Sequence, residues 1–311
     1  MSLITAFYHP RFAAPIGEHI MPMRKFALVA EGLKGMAGVR VLEPAPATEE
    51  DLARVHTLDY IRAVRTGNPR ALAESQKFPW SPELFPSVCL TNGACLAAGR
   101  QALQDRVAAA VASGFHHAHA DHGEGFCTFN GLVVAADALY AQGAVKQVAV
   151  LDLDLHYGNG TAALAGSRPY LRALSIYGND YQANVAHREV SLRHHEDGAN
   201  HVSVPLPAGC DGARLTSVLE EHLPWLLGAG PPDLLLYQAG ADPLHEDPYS
   251  PLALAEEDLL ERDRLVFSFA RRHALPIAWV LAGGYTRDIR KVVQVHLNTF
   301  QLAVECFLGG G

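Results

Sequence analysis

Two acids and a histidine recur at alternate positions in VLDLDLHYGNGT, residues 150–161, and that spacing suggests chemistry with a metal ion. Side chains two apart on an extended strand point the same way, so Asp152, Asp154 and His156 project to one side while Leu151, Leu153 and Leu155 pack on the other. An aspartate and a histidine so placed can share one cation. A lone motif of this kind is matched as often by carboxylates that merely cap backbone amides. The balance changes with Asp242, which follows a different apolar run and completes two carboxylates and an imidazole. Three protein ligands with a fourth position open are the arrangement of a catalytic rather than a structural zinc site. The oxygen-rich set leaves iron(II), manganese and cobalt open.

A second concentration of titratable groups is GFHHAHADHGEGFC, residues 114–127. Amide hydrolysis needs an activated water, stabilisation of the developing oxyanion and a proton for the leaving amine. Zn²⁺ lowers the pKa of a bound water toward ~7 and polarises the carbonyl. The adjacent His116 and His117 can supply base and acid. Tyr285 follows Gly283 and Gly284, whose backbone freedom would let its phenol swing toward the reacting oxygen. Singly, a histidine pair or a tyrosine is most often ordinary polarity; the argument rests on their convergence. His119, His122, His194, His195 and His201 read as solvated loop residues without a role, and Glu124 as an exposed rim acid.

The elements that must position these groups alternate. Apolar, partly β-branched runs of strand length lie at 107–112, 147–155, 171–176, 202–206, 233–237 and 275–281. Helical patterns lie at 22–33, after Thr48 with Asp51 three residues on, and at 213–227, 256–273 and 288–308. Such alternation implies an α/β fold with a mainly parallel sheet flanked by helices. Ligands in such sheets bind outside the carboxyl ends of the strands. Four of the runs lead directly into His116 and His117, into Asp152 to His156, into Asp242, and into Gly283 to Tyr285, so one site at the carboxyl ends is expected.

The 311 residues are 49% hydrophobic and 19% charged, without a low-complexity tract or a linker-like break, so a single domain over 1–311 with a large core is expected. The start MSLITAFYHP lacks the basic and apolar regions of a secretory leader, and no apolar run reaches the ~18 residues of a membrane helix. A soluble, cytoplasmic protein with no membrane span is therefore expected. Five cysteines (Cys89, Cys95, Cys127, Cys210 and Cys306) show no CxxC spacing and read as reduced thiols. A net charge of −8 without a basic cluster argues against direct nucleic-acid binding and favours a cationic or lysine-bearing substrate. Composition leaves the oligomeric state open.

The segments GFHHA (114–118), GFC (125–127), DLDLHYGNGT (152–161), YQAGADPLHEDP (237–248) and LAGGY (281–285) resemble, in order and spacing, the zinc-dependent histone deacetylase superfamily with its arginase/deacetylase fold. The resemblance extends over roughly residues 7 to 300. LALAEEDLLERDRLVF and the GNG after His156 look most similar to class IV deacetylases and their bacterial relatives. The resemblance implies that Asp154, His156 and Asp242 hold one zinc ion, that Tyr285 polarises the carbonyl, and that His116 and His117 transfer protons. It further implies that Asp152 orients His116 and joins Ser175 and the carbonyls of Asp154, His156 and Ile176 around a structural K⁺. Gly125, Phe126, Tyr249, Gly283 and Gly284 would line the substrate tunnel, with Phe126 gripping the lysine stem. Class I members carry an aspartate where this chain has Asn159, which leaves His117 facing a carboxamide. The opposing aromatic of the tunnel is not assigned within IYGNDYQANVAHREV, residues 176–190.

The expected activity is removal of acetyl or longer acyl groups from Nε-acyl-lysine in proteins or peptides. The alternative within the fold is an acylpolyamine or other small acyl-amine. At the position where polyamine-selective relatives are expected to carry a glutamate this chain has Tyr249, with Glu246 and Asp247 nearby. A two-manganese ureohydrolase would need more bridging aspartates, and a non-catalytic acyl-lysine binding module would have lost a ligand or Tyr285.

Overall fold

A computed structural model describes residues 3–182 and 192–309. The sheet has eight strands: β1 (Ile4–Phe7), β2 (Val39–Leu42), β3 (Val107–Ala110), β4 (Val148–Asp152), β5 (Leu171–Tyr177), β6 (His201–Pro205), β7 (Leu234–Gln238) and β8 (Ile277–Val280). Their order across the sheet is β2-β1-β3-β8-β7-β4-β5-β6, and every neighbouring pair is parallel. All carboxyl ends therefore lie along one edge. The four strands whose ends carry the expected chemistry, β3, β8, β7 and β4, are contiguous at the centre, though far apart in the chain. At ~4.8 Å between strands, their ends fall within about 15 Å of one another.

Each of these central strands is fully buried, as a parallel sheet covered on both faces requires. The helices are α1 (Arg24–Leu33), α2 (Glu49–Ala53), α3 (Leu58–Thr66), α4 (Arg70–Ala73), α5 (Leu84–Asp105), α6 (Gly131–Ala141), α7 (Asn159–Ala165), α8 (Gly212–His222), α9 (Glu256–Arg272) and α10 (Ile289–Leu308). Helix α5 packs on α6 and lies along β1, β3, β8 and β7, while α10 packs on α9 and α1. The alanines of β3, all 0% exposed, leave α5 room to approach. At α2 the Thr48 hydroxyl accepts from the Asp51 amide at 3.1 Å and the Asp51 carboxylate accepts from the Thr48 amide at 2.9 Å. Such a reciprocal cap contributes about 1 kcal/mol.

Differences from the sequence reading have local causes. The run 213–227 divides into α8 and a 3-10 helix, Leu223–Leu227, where Pro224 cannot donate to an α-helical ladder. Strand β4 ends at Asp152 rather than 155, so Asp154 and His156 stand in the loop beyond it. Among the described residues no helix is long and apolar enough to cross a membrane, and all five cysteines are free.

Candidate active site

Beyond β4, the backbone amides of Asp154 and His156 donate to the carboxylates of Asp152 (3.1 Å) and Asp154 (2.9 Å), which fixes the turn of the loop. The loop after β7 delivers Asp242, whose Oδ1 accepts from the Leu155 amide at 3.1 Å. His156 Nδ1 then stands 3.1 Å from Asp154 Oδ1 and 3.2 Å from Asp242 Oδ2. One ligand atom from each of these three buried residues falls within 4.8 Å of the others. Burial opposes a charge on His156, but its bonds to Asp154 and Asp242 outweigh this and push it up to about 10. Burial, then the nearby Asp154, pushes Asp242 up to about 6. Two enclosed carboxylates around one imidazole compete for protons because they need a cation, and a divalent metal meets that need better than a shared proton. The donor set thus fits the expected zinc.

The loop after β8 closes over these ligands. The Gly283 amide donates to Asp154 Oδ2 at 2.8 Å. A Cβ at Gly283 would lie 2.0 Å from Asp242 Oδ2, so glycine here makes room for the ligand carboxylates rather than freedom for Tyr285 to swing. Asp247 holds the two pocket tyrosines by their backbones, accepting from the Tyr285 amide at 2.7 Å and the Tyr249 amide at 3.1 Å. Lys25, from α1, lies fully buried beneath the loop and donates to the Ala282 carbonyl at 2.5 Å. Burial lowers Lys25 to about 8 against the pull of Asp242, Asp154 and Asp247. Burial and the same two ligand carboxylates raise the Tyr285 phenol well above its ordinary value, so it stays protonated and able to donate. Lys25 was missed as a support because it belongs to no spacing pattern, and Asp247, inside the motif 237–248, was noted only as an acid near Tyr249.

The two histidines differ in their partners. His116 Nδ1 donates to Asp152 Oδ2 at 2.7 Å, and although burial opposes its charge, Asp152 and Asp154 raise its pKa. His117 Nδ1 donates to Asn159 Oδ1 at 2.7 Å, and burial together with His116 and His156 drives its pKa well below the ordinary value. The Asn159 amide is oriented from behind: its Nδ2 donates to Glu124 Oε2 at 2.7 Å and lies 3.1 Å from His119 Nε2. Glu124 is therefore a half-buried partner of Asn159 and not the exposed rim acid expected. Its carboxylate decides which end of the carboxamide faces His117, and hence that His117 presents a lone pair on Nε2.

His117, Gly125, Phe126, His156, Tyr181, Tyr249 and Tyr285 line a pocket enclosing about 260 Å³ with its open mouth. Tyr181 stacks on His117 with centroids 3.7 Å apart and planes 22° apart, and shares the pocket with Phe126. It is the aromatic that the sequence left unassigned in 176–190; residues 183–190 of that stretch lie outside the described residues. Tyr249 meets Tyr285 edge to face at 5.4 Å. Among the described residues lining the pocket there is no carboxylate: Asp247 is turned to backbone amides, and Glu246 pairs with Lys291 on the surface. Of the oxygen donors expected around K⁺, Ser175 pairs in register with Asp152, and Ile176 follows Ser175 on β5. Three of the histidines read as solvated are not, His119 being half-buried against Asn159. His201 is 5% exposed, with burial holding it down to about 4, and His195 binds the buried Asp180 and stacks on Tyr157.

A family model described as the histone deacetylase domain matches residues 19–300. The chain belongs to the histone deacetylase family. Its activity is accordingly that of the deacetylases and amidohydrolases of this family. An uncharacterized protein of Picosynechococcus is 32% identical over 93% of this chain and 94% of its own length. Histone deacetylase 2 of Arabidopsis thaliana is 27% identical over 81% of this chain and 65% of its own. The crystal structure of an acetylpolyamine aminohydrolase from Burkholderia pseudomallei has the same fold, with a TM-score of 0.79 at 22% identity over 97% of this chain and 99% of that one. In this chain the contiguous central strands bring the segments after β3, β8, β7 and β4 together at one site.

Proposed function

We propose that the chain hydrolyses acetyl or longer acyl groups from Nε-acyl-lysine in proteins or peptides, with Zn²⁺ held by Asp154, His156 and Asp242. The observation that carries this reading is that His156, His117 and Tyr285 line one aromatic-walled pocket, with Asp154 and Asp242 bonded to His156 and His116 packed on His117. Bound zinc supplies Lewis acidity to the amide carbonyl and acidity to the attacking water. His117 takes the water's proton on Nε2 and returns it to the leaving amine. His116, held charged by Asp152, and the Tyr285 hydroxyl support the negative charge that develops on the carbonyl oxygen. Phe126 and Tyr181 flank the methylene stem of the lysine. Asp152, Ser175 and the carbonyls of Asp154, His156 and Ile176 hold a structural K⁺, an oxygen-donor set suited to a hard cation.

The second reading, a small acylpolyamine substrate, is favoured by the fold shared with the acetylpolyamine aminohydrolase. Against it stands the lack of a carboxylate among the described residues lining the pocket, with Tyr249 where a cationic tail would need an acid. Peptides bearing acetyl, propionyl, octanoyl and myristoyl lysine, run beside N-acetylputrescine, decide between them. The best peptide should have the higher kcat/KM; a higher value for N-acetylputrescine than for every peptide overturns the choice.

The histidine roles are open to a pH test. A base must be neutral to accept a proton, and the depressed pKa of His117 places the acid limb of kcat/KM below the ordinary histidine range. Asn159→Asp puts a carboxylate on Nδ1, favours the imidazolium and should move that limb to higher pH. His117→Ala should also cost more than His116→Ala. An unmoved limb together with the opposite order of the two deletions would show the roles reversed.

A further inference from the structure

Beside the pocket, outside the ligand set already described, His119, His122 and Glu124 form a second cluster of metal-ligating groups. The His119 amide donates to the His122 carbonyl at 3.0 Å, and the two imidazoles stack with centroids 4.6 Å and planes 8° apart. Both Nε2 atoms face one carboxylate: His119 Nε2 is 3.7 Å from Glu124 Oε2 and His122 Nε2 is 3.8 Å from Glu124 Oε1. The three ligand atoms all lie within 4.8 Å of one another. In a tetrahedral zinc site with bonds of about 2.0–2.1 Å the ligand atoms are about 3.4 Å apart, so three atoms within 4.8 Å of one another would draw together around an ion by side-chain rotation.

Both Nε2 atoms are acceptors, and turning the rings out of their stack would direct the two in-plane lone pairs to one ion. His122 Nδ1 donates to Asp121 Oδ1 at 2.7 Å, which leaves Nε2 unprotonated in the neutral ring and supplies the carboxylate behind the imidazole that metal-bound histidines typically have. Asn159 Nδ2 donates to His119 Nε2 at 3.1 Å, so that nitrogen is also an acceptor. With side chains 23%, 38% and 22% exposed, the cluster can be reached by an ion from solvent while a fourth position stays open.

We propose that His119, His122 and Glu124 form a second binding site, weaker than the buried one, for a divalent cation that favours imidazole, Zn²⁺ first, and that filling it slows turnover. It is weaker because it offers one carboxylate, partly in water, where the buried set offers two. The coupling runs through Asn159. Its Nδ2 is held by Glu124 and His119, and its Oδ1 by His117; a cation that takes the Glu124 and His119 lone pairs leaves Nδ2 without its acceptors and facing a positive charge. The carboxamide then turns, and His117 loses the partner that sets its tautomer. This coupling rests on the proposed role of His117; the binding site itself does not.

The test is equilibrium dialysis of the metal-stripped full chain against Zn²⁺, with elemental analysis, on wild type, His122→Ala, His122→Gln and Asp154→Ala. Wild type should take up two zinc ions per chain in two classes. The His122 variants should lose the weaker class alone, and Asp154→Ala the tighter. Glutamine keeps a polar side chain of similar size, so one variant remains interpretable if the other misfolds. One zinc per chain in wild type, or two in both His122 variants, overturns the site. Turnover of wild type should fall at least tenfold between one equivalent of Zn²⁺ and saturation of the second class. Both His122 variants should match wild type at one equivalent and resist the excess. Full activity of doubly loaded wild type overturns the coupling. An enzyme inactive at one equivalent on every acyl-amine would instead count against the proposed function, with the stoichiometry still deciding the site.

Discussion

Asp154→Ala, His156→Ala and Asp242→Ala are each expected to abolish turnover and to carry less than stoichiometric metal at the buried site. With three ligands and one open position, loss of any one leaves two donors, and the remaining buried groups no longer form a closed set. The folds should survive. Two enclosed carboxylates facing one imidazole carry an excess of negative charge in the metal-free protein, and Asp242, pushed up to about 6, shows the strain of that excess. Asp242→Ala relieves that excess but costs the Leu155 amide its acceptor, whereas Asp154→Ala leaves both the His156 and the Gly283 amides without theirs, so metal-free Asp154→Ala should melt below metal-free Asp242→Ala. Full metal content at this site in all three purified proteins would falsify the ligand assignment.

Tyr285→Phe should lower turnover by about a hundredfold to a thousandfold, the usual effect of losing one oxyanion donor, with metal content and melting unchanged. The substitution removes only the hydroxyl. The ring keeps its edge contact with Tyr249, and the backbone keeps its bond to Asp247. A fall of less than tenfold would mean that the carbonyl oxygen is supported elsewhere, with His116 the next group to test.

Why the site could be read before the fold was known follows from where its residues sit. Asp152, Asp154 and His156 stand at the end of an otherwise apolar run, and a charged group there is visible against its background. The alternation of runs likewise gave the sheet and five of its flanking helical segments. Two buried helices escaped notice for the reason that makes them central. Helices α5 and α6 are enclosed on nearly all sides, so their polar and apolar residues show no single stripe, and the 3.6-residue period that marks a surface helix is absent. Strand β2, VRVL, is half exposed with an arginine in its middle, and β1, ITAF, is interrupted by a threonine, so neither stands in the longer apolar run that marks the equally short β3 and β8. Lys25 read as an ordinary helix residue because nothing along the chain shows that its ammonium lies beneath Ala282. Tyr181 and Glu124 are single residues on loops: the start of α7 brings Asn159 to Glu124, and the loop after β5 brings Tyr181 to His117.

The interleaved strand order has a consequence for synthesis. Asp154 and His156 emerge on the loop after β4, but β7, which places Asp242, and β8, which carries the Gly283 amide to Asp154, come much later in the chain. A nascent polypeptide halted before residue 283 cannot close the buried site, because β8 must insert between β3 and β7 after both exist. Metal loading at the proposed site would thus be a late event, and a released chain that carried the metal there would be one whose central sheet has been completed.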